Sequence, residues 1–197
     1  MTRKKRVLIF LIFIGIFLVA YSIGAETPVS DEDAMAFLEE FNKAIEGIDA
    51  IGIFLHNAFI ALLMFIPGAG AVWGAFAALT TGIAFSALVK TTPALSGLPP
   101  LSLLLISPFG LMELVAYSIG MSRSFLLIQI IIKKIPIKQE IRPTVIEIGK
   151  SIALSIKQEL RPTAIEVGIV IALLLAGGFL EYAMIQQFGT DLELPQP

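Results

Sequence analysis

Ile51-Gly-Ile-Phe-Leu-His-Asn-Ala-Phe-Ile-Ala-Leu-Leu-Met-Phe-Ile-Pro-Gly-Ala-Gly70 opens a run that continues to Val89, thirty-nine residues without one Asp, Glu, Lys or Arg. Pro67-Gly68-Ala69-Gly70 cuts the run near its middle and reads as a turn. A helix needs about 20 apolar residues to cross roughly 30 Å of hydrocarbon, so the run is long enough to cross twice, as a hairpin. The expected fold is therefore all-α, a polytopic transmembrane helical bundle. Function must then be sought among the groups that a bilayer makes expensive.

The composition agrees, with 56% hydrophobic residues, 15% charged residues and a mean hydropathy of +0.88. These values lie outside soluble-domain norms. Residues 1–197 are expected to form a single integral membrane domain. The chain has no Cys, which removes disulfides, thiolate metal sites and thiol nucleophiles together.

Charge placement orders the spans. Val7 to about Gly24 follows Arg3, Lys4, Lys5 and Arg6, a basic cluster of the kind normally kept in the cytoplasm. Its apolar region, about 18 residues, exceeds the usual signal-peptide core, so a retained anchor is preferred to a cleaved leader. Alternate threading gives spans 7–24, 51–66, 71–89, 101–120 and 163–184. The N-terminus is then cytoplasmic and the C-terminus extracytoplasmic, in the cell membrane. Twelve of the fourteen basic residues fall inside, leaving Lys43 and Lys90 outside, as the positive-inside rule asks. The outer segment Glu26 to Asp49 carries eight acidic residues against Lys43 alone.

Two amphipathic segments are expected to lie along the membrane surface. The outer one, 31–48, opens on Ser30-Asp31-Glu32-Asp33, a capping-box pattern in which Ser30 and Asp33 would satisfy amides of the first turn. Ala34, Phe37, Leu38, Phe41, Ile45 and Ile48 follow at helical spacing. The inner one lies within 125–160, where Val145, Ile148, Ile152 and Ile156 form a stripe between Pro143 and Pro162 and flanking basic residues suit anionic lipid heads. Phe125 to Ile135 is too short to cross alone and either extends the fourth helix or lies in the interface. Residues 137–154 and 156–173 match at 13 of 18 positions, a tandem repeat offset by 19 residues. Each Arg-Pro-Thr unit, at Arg142 and Arg161, reads as a repeated helix start rather than a ligand motif.

Inside the spans the notable polar groups are His56, Asn57, Thr80, Thr81, Ser107 and Glu113. A carboxylate within a span costs about 2.5–3.5 kcal/mol on insertion scales, so Glu113 is expected to be protonated, paired or wetted. Pro108 and Gly110 precede it and should kink that helix. Glu113 with His56 could form a proton or substrate relay. A packing hydrogen bond from Glu113 to His56 or Asn57 is the preferred reading. Gly70, Gly74 and Gly82 allow close helix approach, within a subunit or between subunits.

No enzymatic template fits. One His and no Cys give no zinc spacing, no phosphate loop is present, and no nucleophile elbow surrounds Ser107. The basic stretch lacks the aromatic platform of single-strand nucleic-acid binders. The chain is expected to be non-enzymatic and to use no metal or cofactor.

Leu55-His56-Asn57-Ala58, the hairpin Pro67-Gly68-Ala69-Gly70 with Gly74 and Gly82, Ser107-Pro108-Phe109-Gly110-Leu111-Met112-Glu113, and Ala172 to Glu181 together resemble the stage II sporulation protein M family. Asn57, Pro108, Gly110, Glu113 and Glu181 match its pattern. His56 stands where the family often has a second Asn, and Phe109 replaces a family His, which favours structural roles for the shared residues. The resemblance implies a membrane scaffold, as bacterial sporulation members are implied to recruit cell-wall hydrolases during engulfment. Fold likeness alone does not carry that role across. The expected function is a scaffold or assembly subunit, with membrane lipids, further copies of itself and other membrane proteins as partners. The alternative is a transporter or permease subunit acting through Glu113 and His56.

Overall fold

Every regular element among the described residues is helical, the computed structural model describing residues 3–95, 97–134 and 145–188. The helices are α1 (Arg3–Ala25), α2 (Asp31–Ile45), α3 (Ala50–Leu63), α4 (Ala69–Thr91), α5 (Pro100–Ile106), α6 (Pro108–Lys134) and α7 (Val145–Phe188). Four of them, α1, α4, α6 and α7, are long and apolar enough to cross a membrane, and α3 is a shorter apolar helix. The polytopic all-α bundle of about five spans follows from this set.

The core forms around α1 and α6. Ile9, Phe13, Phe17 and Tyr21 recur every fourth residue, share one face of α1 and are all buried. Phe13 meets Phe125 with ring centroids 5.5 Å apart, and Phe17 meets Tyr117 at 6.0 Å. α6 packs on α7, α4 and α1, while α3 lies mainly against α7. The turn between α3 and α4 uses Gly68 at φ 78°, a left-handed conformation that glycine adopts without strain. It is fastened to α6 through Ser124, whose hydroxyl donates to the Ile66 carbonyl (2.5 Å) and accepts from the Ala71 amide (3.2 Å).

Three boundaries differ from the sequence expectation. The span placed at 101–120 is two helices, because Ser107 is extended at ψ 128° and Pro108 begins a new helix. Proline disfavours helical geometry in the residue before it, so the expected kink is a full break. The membrane helix runs instead to Lys134 and absorbs Phe125, which favours the extension reading for that stretch. Among the described residues of 125–160 no separate inner helix forms. Residues 125–134 belong to α6, residues 135–144, Pro143 among them, lie outside the described residues, and 145–160 run without interruption into α7. Pro162 lies inside that helix rather than at its start. Pro162 and Gln158, whose carbonyl it leaves without an amide partner, are both exposed. At 44 residues, α7 is about 66 Å long, far more than one crossing needs.

The segment read as the outer amphipathic helix folds as α2 and rests on α4 through buried Ala34 and Leu38. Ser30 caps it by accepting the Asp33 amide (3.0 Å). The Asp33 carboxylate accepts a hydrogen bond from the Ser30 hydroxyl (2.6 Å), a local variant of the expected box. Lys90, at the end of α4, reaches Asp31 (2.7 Å) and the Val29 carbonyl (2.6 Å). The hydrogen bond and charge of Lys90 hold the Asp31 carboxyl below its usual range. A lowered carboxyl contributes stability above its unfolded value and loses it as pH falls through the folded one. The protection factor of the first-turn amides of α2, observed exchange referred to the intrinsic rate at the same pH, should therefore fall on acidification below the usual carboxylate range, by at most about five-fold for so exposed a pair. Lys90→Met should lower protection to the same degree at neutral pH, and a pH-independent protection factor in the unmutated chain would refute the coupling.

Candidate functional site

Two polar clusters interrupt the apolar interior. In the first, α3 turns Asn57 toward α6, where its side-chain amide donates to Glu113 Oε1 at 2.6 Å. Tyr117, one turn along α6 from Glu113, donates its hydroxyl to Asn57 Oδ1 at 3.2 Å. The bonds run one way, from phenol to amide to carboxyl, and use both functions of the asparagine. From α7, Glu181 comes near enough for its charge to act on Glu113. Helices α3, α6 and α7 thus contribute to one intramembrane polar site.

The remaining sequence candidates are distributed otherwise. His56 is adjacent to Asn57 in sequence, but a helical step of 100° turns it to the exposed side of α3, and the structure does not bring it to Glu113. Thr80 and Thr81 return their hydroxyls to carbonyls of their own helix. Ser107 caps the new helix by accepting the Gly110 amide (3.2 Å). A side chain at Gly110 would strike the Leu104 carbonyl and the Ser107 hydroxyl, so Pro108 and Gly110 shape the break above Glu113. Phe109 lies over Gly177 of α7. Gly74 faces Met121 of α6, Gly70 faces Met64 of its own turn, and Gly82 faces the backbone of α1, all contacts within the chain.

The second cluster was not anticipated from sequence. Arg123 of α6 is buried and donates to Glu166 Oε2 (2.7 Å), Glu166 Oε1 (2.7 Å) and Glu159 Oε2 (2.8 Å). Arg6 of α1 donates to the same Glu166 Oε1 (2.8 Å) and to the Ser122 hydroxyl (2.9 Å). Two guanidinium groups and two carboxylates therefore tie three helices together, with the planar forks meeting carboxylates in their preferred geometry. Both acids belong to the second copy of the repeat. One signal was available: Glu166 and Glu181 lie within the expected span 163–184, and the cost argument applied to Glu113 applies equally to them.

What both arrangements can do is fix helices relative to one another and, at the first, hold the Glu113 carboxyl within reach of the charge of Glu181. A family model described as Stage II sporulation protein M matches residues 7–183, a range that takes in every residue of both clusters but Arg6. Comparison with curated proteins and with solved structures gives no match.

Proposed function

The chain belongs to the stage II sporulation protein M family, and from that premise we propose that it is a non-enzymatic membrane scaffold or assembly subunit that organises partner proteins and further copies of itself. The observation that carries this reading is the hydrogen-bond chain Tyr117 to Asn57 to Glu113. The Glu113 carboxyl accepts from an amide that itself accepts from a phenol, so one bond chain joins α3 to two successive turns of α6. Such bonds fix helix packing in membranes and contribute about 0.6–2 kcal/mol each.

In the orientation proposed, the N-terminus is cytoplasmic and the membrane is the cell membrane. Arg6 and Arg123 meet at one end of the bundle, while the acidic α2 docks at the opposite end through Lys90. That division supports the positive-inside assignment.

A transporter or permease subunit is the second reading, and a second carboxyl, Glu181, near enough for its charge to act on Glu113 favours it, because a packing bond needs only one carboxyl. Glu113→Gln separates the two. A neutral amide of the same shape can still accept from Asn57, so for a scaffold, assembly mass in lipid nanodiscs should be unchanged and the unfolding midpoint should move little. Asn57→Leu should lower stability by about 0.6–2 kcal/mol. If Glu113→Gln left assembly intact but abolished proton-coupled flux in liposomes, the transporter reading would replace the scaffold.

A further inference from the structure

We propose that the outward face of α3 is the surface through which two copies of this chain pair, His56 of one copy meeting His56 of the other. The proposal rests on the assembly reading above and names the face that serves it.

α3 is two-sided. Ala50, Ala58 and Ala61 are buried, and Asn57 bonds to α6. On the other side Leu55, Phe59 and Leu62 are exposed, Phe59 at 67%. Those residues alone need no protein cover, because acyl chains are as apolar as leucine. His56, exposed on the same side, does need cover. It makes no hydrogen bond or ion pair to any described residue, and it lies about 10 Å along the helix from the Asp49 cap, within the apolar stretch. A neutral imidazole carries one donor and one acceptor, and hydrocarbon can satisfy neither. Ionisable groups inside spans almost always face the bundle interior or a wet cavity, so an outward imidazole points to a neighbour.

The length of α3 points the same way. Its 14 residues rise about 21 Å against a hydrocarbon layer of about 30 Å, and association is one of the ways in which a short span relieves that mismatch. A second copy is the occupant the chemistry selects. Across a two-fold axis the same residue meets itself, and imidazole is self-complementary: the N–H of one ring can donate to the bare nitrogen of the other. Two identical chains also bring that group to the same depth in the membrane.

The chain has no native cysteine, so single-cysteine cross-linking in lipid nanodiscs reads the contact directly. Phe59→Cys, one turn from His56, should give a covalent homodimer at least ten-fold more efficiently than Leu11→Cys, on the exposed side of α1. Adding His56→Leu should reduce the Phe59→Cys dimer several-fold, while His56→Asn, which keeps one donor and one acceptor, should retain it. All these positions are exposed, so folding is preserved, and the elution profile checks it. Homodimers linked through Leu11→Cys and not Phe59→Cys would overturn the α3 contact while leaving self-assembly in place. A monomeric mass with no cross-link at either position would overturn both the contact and self-assembly. A Phe59→Cys adduct in native membranes to a different protein only would assign this face to another partner and also overturn the proposal.

Discussion

Arg123→Ala should cost the chain a large share of its stability, about 3–5 kcal/mol, the range for breaking a buried ion pair by removing one partner. Folded domains hold margins of about 5–15 kcal/mol, so a loss of this size removes a large fraction of a typical margin. Arg123 donates to both oxygens of Glu166 and to Glu159. Without it those carboxylates keep only Arg6 among the cations of the cluster, and Arg6 reaches Glu166 alone. Arg123→Lys should rescue little, since an ammonium cannot span two carboxylates with a planar fork. Glu159→Gln should be much milder, because Glu159 is the more exposed acid and Glu166 still neutralises Arg123. The readout is thermal or denaturant unfolding in nanodiscs, and an Arg123→Ala midpoint equal to that of the unmutated chain would remove the cluster from the account of stability. Replacing Arg6, Arg123, Glu159 and Glu166 together by methionine should recover much of the loss, as it does when whole buried ionic groups become apolar.

The sequence expresses elements that depend on local spacing far more clearly than those that depend on distant partners. The hairpin at Pro67-Gly68, the capped α2 and the long α1 each follow from signals within a few residues of one another, and each forms. The ionic cluster joins residues separated by 160 positions (Arg6 and Glu166) and 43 positions (Arg123 and Glu166). Arg6 and Arg123 look the same in sequence whether they sit in water beneath the membrane or pair inside the bundle, and the positive-inside pattern accounts for them in either case. The same ambiguity moved the fourth span. Ser122, Arg123 and Ser124 lie just beyond the expected end at residue 120, yet each finds a partner on α1, α7 or the α3–α4 turn, and α6 continues through them. At the polar site, Glu113 was legible from its cost. The choice between His56 and Asn57 was not, because it depends on the rotation of α3, which is set by the packing of Ala50 and Phe54 against Gly178.

Gly82→Leu should separate α1 from α4 and destabilise the bundle at or above the upper end of the about 1–3 kcal/mol typical of overpacking. The two helices touch backbone to backbone. A side chain at Gly82 would overlap the Tyr21 carbonyl and come within 2.7 Å of the Ala25 amide nitrogen, and one at Gly24 would overlap the Leu79 carbonyl. Backbone atoms cannot rotate aside as a methionine can, so even Gly82→Ala must push the helices apart. The displacement would also reach α5, because Tyr21 carries the hydroxyl that donates to the Pro100 carbonyl (2.9 Å). Gly15→Leu is the matched control on α1: nothing lies within 4 Å of its side-chain position, and its effect should be small. If the two variants unfolded at the same midpoint in nanodiscs, close approach at Gly82 would not be what holds α1 to α4. Gly24→Ala combined with Gly82→Ala should cost less than the sum of the two, because once one substitution has parted the helices the other finds room. That sub-additivity separates a shared backbone crossing from two independent defects. Association between spans cannot draw on the exclusion of water and rests on the van der Waals contact that small residues permit. In this bundle that contact is concentrated where Gly24 and Gly82 let two backbones meet.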